Sequence, residues 1–192
     1  MARILVIDES QQRAVEICRG LILSGHQVAA VLPSAFELIE RIEEIKPDII
    51  LIETESPSRD TLEHLAVMSR DMPRPVVMFS QDDNSDTIRS AIQAGVAAYV
   101  VEGFDIKRLR PIVDIAVAQF EEHQSLKREL AVTSRKLSER KIIEKAKGIL
   151  MKQRGITESE AFQFVQRQAM NMRRTMKEIA EAILLSDGIS KP

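Results

Sequence analysis

Five short apolar runs punctuate the first hundred residues: Ile4 to Ile7, Val28 to Leu32, Ile49 to Ile52, Val76 to Phe79 and Ala98 to Val101. Each has strand length, and most are rich in β-branched residues. They are continuous, without polar alternation, which predicts strands buried on both faces. Between them apolar residues recur at helical spacing: Ala14, Cys18, Leu21 and Ile22; Leu38, Ile39, Ile42 and Ile45; Leu62, Leu65 and Ala66; Ile88, Ala91 and Ile92. Turn signals such as Ser24-Gly25, Lys46-Pro47-Asp48, Met72-Pro73 and Ala94-Gly95 divide the two kinds of segment. Strands alternating with helices predict a doubly wound α/β domain, a five-stranded parallel sheet of flavodoxin-like order. Its functional end should lie at the C-terminal ends of the strands.

The pattern then changes to helix alone. Asp105 is an N-cap candidate, Pro111 fits an early turn, and no glycine occurs between Gly103 and Gly148. One helix to about Gln153 is predicted, on the order of 70 Å long and too long to pack on one small domain. A heptad reading puts Ile112 and Leu126 at one seam position and Ala116, Leu130 and Leu137 at the other, interrupted by Gln119, His123 and Thr133. This predicts a coiled-coil homodimer; the alternative is an antiparallel hairpin folded back onto the chain's own first domain. After Gly155, Thr157 followed by Glu160 forms a capping-box pattern and opens a helix with Ala161, Phe164, Val165, Ala169 and Met172 on its apolar face. A last helix after Thr175 would present Met176, Ile179, Ala180, Ile183 and Leu184. With Ile142, Ile143, Ala146, Ile149 and Leu150 these make a small three-helix module. The expected layout is a first domain over residues 1–122, a coiled-coil linker over 123–139, a helical domain over 140–185 and a disordered tail over 186–192.

Charge divides the chain in the same way. Residues 1–132 carry 14 Lys/Arg against 22 Asp/Glu, whereas residues 133–192 carry 13 against 7. A basic tail region on an acidic front half suits a polyanionic partner, although a solvated helical face gives the same count. A single cysteine, Cys18, excludes an internal disulfide framework. The opening MARILVIDES lacks a secretory leader, and no apolar run reaches the roughly 18 residues of a membrane span. A cytoplasmic protein without membrane contact is expected. No nucleophile and base pair recommends an enzyme, so no catalytic residue is assigned.

The first domain resembles a two-component receiver. In that family an acidic pair, an acceptor aspartate, a Ser/Thr and a lysine at successive strand ends make a magnesium-dependent phosphoacceptor site. The matching residues here are Asp8 and Glu9, Glu53, Ser80 and Glu102, with Tyr99 and Ser80 matching the usual switch pair. Two positions break the mechanism. Glu53, in LIETESP, is one methylene longer than the acceptor aspartate. Glu102, in YVVEGF, puts an anion where a cation should hold the phosphoryl group, and Gly103 replaces the proline after it. We read the pocket as a relic regulated by protein contact, with imitation of a charged aspartate as the alternative. No cofactor is required on this reading, while Glu9 and Glu53 remain candidate ligands for a divalent cation. The rival function is a phosphorylation-switched two-component regulator using magnesium.

The segment from Arg140 to Leu184 resembles an ANTAR domain. The run Ala146-Lys147-Gly148-Ile149-Leu150-Met151 carries the likeness, with Glu160-Ala161 and Gln168-Ala169-Met170 at matching spacing. The resemblance implies binding to RNA stem-loops and transcription antitermination. Candidate RNA-binding residues are Lys141, Lys145, Lys147, Gly148, Lys152, Arg154, Phe162, Arg167, Arg173, Arg174 and Lys177. Lysines supply phosphate attraction, while loop bases need stacking or edge contacts. Phe162 or the plane of an arginine is the stacking candidate, with core packing as the other reading of Phe162. Gly148 costs its helix up to about 1 kcal/mol relative to alanine, which either tight helix packing or a close approach by nucleic acid would justify. Through LIETESPSRDTLEHL and AAYVVEGFD the chain is further similar to the nitrate/nitrite-assimilation antiterminators of this family. That likeness implies leader mRNA with tandem hairpins and restraint by a nitrate-sensing regulatory protein. Duplex DNA is not the expected partner.

Overall fold

All five apolar runs form strands in the computed structural model, which describes residues 1–36, 38–102 and 105–189. β1 (Arg3–Asp8), β2 (Gln27–Leu32), β3 (Ile49–Thr54), β4 (Val76–Ser80) and β5 (Ala98–Val101) pair in parallel in the order β2-β1-β3-β4-β5. This is the flavodoxin-like order. Helices α1 (Gln11–Leu23), α2 (Leu38–Ile45), α3 (Arg59–Asp71) and α4 (Ser85–Gln93) fill the crossovers, and α5 (Ile106–Arg154) follows β5. Because successive strand residues point to opposite faces, the sheet feeds two cores. One joins Leu5, Ile7, Ile50, Ile52 and Met78 to Leu38, Ile42, Leu65, Met68 and Ala91 of α2, α3 and α4. The other joins Ile4, Val6, Leu51, Val77 and Phe79 to Ile17 and Leu21 of α1 and to Leu109, Val113 and Ala116 of α5. Ile22 and Ile92, which periodicity put on the inner faces of α1 and α4, are exposed; Ile17 takes the inward position on α1.

Helix α5 is assigned over 49 residues, with Pro111 inside it. It starts where Asp105 Oδ1 accepts a hydrogen bond from the Lys107 amide at 2.9 Å. The chain forms two compact units, the first ending at Gln124 and the second beginning at Ser125. Within the first, Ala116 is fully buried in the core and Ile112 packs against it. These two residues are therefore not part of an intermolecular seam: the receiver-like sheet is the partner that their periodicity did not identify. Leu126, Leu130 and Leu137, in the second unit, are 56%, 70% and 54% exposed.

The second unit closes on α6 (Glu158–Met172) and α7 (Met176–Ile189). Gly155, at φ 64°, ends α5 in a left-handed conformation that a side chain disfavours. Thr157 caps α6 through the expected reciprocal box with Glu160. Thr175 and Glu178 form an equivalent pair at the start of α7, at 2.8 and 3.2 Å. Leu150, Ala161, Val165, Ala169 and Ile179 make the core, with Phe164, Met176 and Ile183 against it. Met172 is exposed, because the left-handed Arg173 (φ 52°) ends α6 there and turns the chain. The segment 186–189 is helical, contrary to the expected disordered tail; residues 190–192 and Gly103 lie outside the described residues. Among the described residues no helix is long and apolar enough to cross a membrane.

Candidate functional site: an acidic pocket and a basic helical face

At the C-terminal end of the sheet, strand pairing sets Asp8 beside Glu53 and Thr54 beside Ser80. Asp8 is buried, and its partner is an internal cation. The Arg13 guanidinium, on the first turn of α1, donates from Nη2 to Asp8 Oδ1 at 3.0 Å and from Nε to Oδ2 at 3.3 Å. The Ser10 amide adds a bond of 2.7 Å to Oδ1. The hydrogen bond with Asp8 raises the Arg13 pKa further. Glu53 is also buried, with Oε2 lacking a hydrogen-bond partner among the described residues. Burial pushes its carboxyl above the usual range; Arg13 opposes that shift and the Asp8 carboxylate adds to it.

The switch residues are tied down. Ser80 Oγ donates to the Glu55 carbonyl at 2.9 Å and accepts from the Asp82 amide at 3.1 Å. Tyr99 Oη donates to the Asp82 carbonyl at 2.9 Å, and Ser56 Oγ donates to Asp82 Oδ2 at 2.6 Å. These bonds join the loops after β3 and β4. Glu9 and Glu102 are exposed, the latter in left-handed backbone at φ 74°. A receiver's divalent cation does not fit this arrangement. Among the described residues no three His, Cys, Asp or Glu side chains group to hold a metal ion. The buried aspartate is already neutralised by Arg13, and the proposed ligand Glu9 points to solvent. Sequence reading missed Arg13 and Asp82. The signal for Arg13 was available: an arginine five residues beyond Asp8, one helical turn after the Ser10 N-cap.

In the second unit the basic residues separate into two sets. Lys147 is a structural cation, its side chain 7% exposed, bonded to Glu158 at 2.8 Å and Glu144 at 2.9 Å. Those two carboxylates, Glu158 first, raise its pKa. It leaves the nucleic-acid face to which its charge had assigned it. Arg154 lies 4.3 Å above the Phe164 ring, Arg174 pairs with Glu178 at 2.9 Å, and Lys177 with Glu181 at 3.7 Å. Lys141, Lys145, Lys152, Arg167 and Arg173 are exposed, and no carboxylate pairs with them among the described residues. Lys141, Lys145, Gly148 and Lys152 recur at helical spacing on α5, so they share one face. Phe162 is exposed on α6, where a ring can stack on a base, and is not a core residue.

Comparison with known proteins agrees with this division. Residues 4–114 match the response regulator receiver domain, and residues 131–184 match the ANTAR domain. Over 189 residues the chain is 32% identical to the transcriptional regulatory protein PdtaR of Mycobacterium tuberculosis, covering 98% of this chain and 92% of that one. A nitrate regulatory protein of Klebsiella oxytoca is 42% identical over 78 residues, 41% of this chain and 19% of its own. Among solved structures, a CheY-like receiver domain protein of Methanospirillum hungatei superposes with a TM-score of 0.55 at 18% identity, covering 64% of this chain and 98% of that one. At that identity the likeness is one of fold.

Proposed function

The chain belongs to the family of response regulators that join a receiver domain to an ANTAR domain, and from that membership we propose that it is a transcription antiterminator. The C-terminal module binds tandem stem-loops in a leader mRNA and so prevents the terminator from forming. The observation that carries this reading is the set of exposed lysines on α5, Lys141, Lys145 and Lys152, without a carboxylate partner among the described residues, within the segment that matches the ANTAR domain. Such ammonium groups attract phosphate without first breaking an ion pair. The protein acts by stoichiometric binding in the cytoplasm. A homodimer through Leu126, Leu130 and Leu137 would bring two modules to two hairpins and raise their effective concentration.

The relative named for nitrate regulation supports nitrate or nitrite assimilation genes as the target, and restraint by a nitrate-sensing regulatory protein belongs to the same reading. Input by protein contact suits the receiver better than phosphotransfer. Arg13 holds Asp8, and Glu53 is buried in the acceptor's place. The test is competition binding with a labelled two-hairpin leader RNA, paired with transcription through the terminator in vitro. Hairpin RNA should compete at least tenfold better than duplex DNA of equal length, and saturating protein should increase readthrough. Equal competition by DNA, or unchanged readthrough, would overturn the proposal.

A further inference from the structure

Among the described residues nothing requires Gly148 to be glycine. Its backbone is helical, and a side-chain carbon placed there would meet no atom of the described residues within 4 Å. The tight-packing explanation open from sequence is therefore removed, although glycine in a helix interior is inferior to alanine. Gly148 instead lines a groove of about 610 Å³ between the end of α5 and α7. Gly148 and Ile149 line it from α5, and Leu184 lines it from α7. Lys145 and Lys152 stand one turn to either side of the glycine, exposed and without a carboxylate partner among the described residues.

We infer that this groove is the seat for an unpaired loop nucleotide of the RNA: the base lies against Gly148 and Ile149 and the two lysines hold the flanking phosphates. The inference rests on the RNA-binding reading above. Structured RNA is read mainly at loops, where an unstacked base can lie flat on a protein surface, and a position without Cβ permits the closest approach. Charge selects this occupant over a second copy of the chain. A copy docked face to face would bring the same lysines into like-charge contact, whereas a sugar-phosphate chain neutralises both. Asp187 lines the α7 side, where the Gln153 amide donates to it at 2.8 Å.

The experiment uses the full chain carrying Gly148→Ala, and separately Lys145→Gln and Lys152→Gln, with the two-hairpin leader RNA and a loopless stem of the same sequence. Gly148→Ala should unfold at the wild-type temperature or higher, yet bind hairpin RNA at least tenfold more weakly. Its affinity for the loopless stem should not change. Each lysine variant should lower the slope of log affinity against log salt by about one. Wild-type hairpin affinity in Gly148→Ala would overturn the groove assignment alone. So would a loss that tracks a changed sedimentation coefficient of the free protein, which would make the groove a contact between copies. Failure of the unaltered chain to bind hairpin RNA would overturn the RNA reading and the groove with it.

Discussion

Glu53 is held at the sheet end with one carboxyl oxygen buried and without a hydrogen-bond partner among the described residues, beside a second acid that is neutralised by Arg13. Burial raises its folded pKa above the ordinary value of 4.5. The folded chain therefore holds this proton more tightly than the unfolded chain, and the stability it contributes is full below pH 4.5 and falls as pH rises above it. Glu53→Gln removes that dependence. Thermal unfolding should show the variant more stable than wild type at pH 7, with the gain shrinking steadily as pH is lowered toward 4.5. A gain independent of pH would show that Glu53 is solvated and ionised. At this scale the sequence named the acids at the strand ends, because chain position after a strand is local information. It did not name the cation: Arg13 reaches Asp8 only because Ser10 starts α1 where it does. Lys147 shows the same limit. Its charge was legible, but Glu158, eleven residues away on α6, turned it inward.

The elements were the most legible part, since strand runs, helical spacing and caps are all encoded within a few residues. The box at Thr157 is an example: its hydroxyl accepts the Glu160 amide, while the Glu160 carboxylate accepts the Thr157 amide at 2.8 Å. Thr157→Ala should lower the stability of the C-terminal module by about 1 kcal/mol. Hydrogen exchange should show the loss in α6 and α7, with β1 to β5 unaffected; equal loosening of the sheet would contradict the division into two units. Helix α5 marks where periodicity stops being sufficient. Ile112 and Ala116 fall in register with Leu126 and Leu130, yet the former pack in the receiver core and the latter are exposed. A repeat of seven reports which residues share a face, and what covers that face depends on the neighbouring sheet.

At the scale of the molecule, the exposed leucines of α5 set the proposed assembly. Replacing Leu130 and Leu137 together with Glu should leave a folded monomer by sedimentation equilibrium. Its affinity for two-hairpin RNA should drop at least tenfold, to that for a single hairpin, because the gain from linked sites is lost. A dimer that persists would remove these residues from the seam. The sequence by itself determined the strand and helix order, the two-part charge and the ANTAR signature, all properties of short windows or of composition. It also placed Glu53 and Glu102 where the receiver resemblance implies an aspartate and a lysine. Only the tertiary structure decided that Arg13 occupies the aspartate, that Lys147 is structural and that Gly148 lines a groove. Each of these depends on a side chain from another element, or on the absence of one, and residue spacing along the chain carries no record of such neighbours.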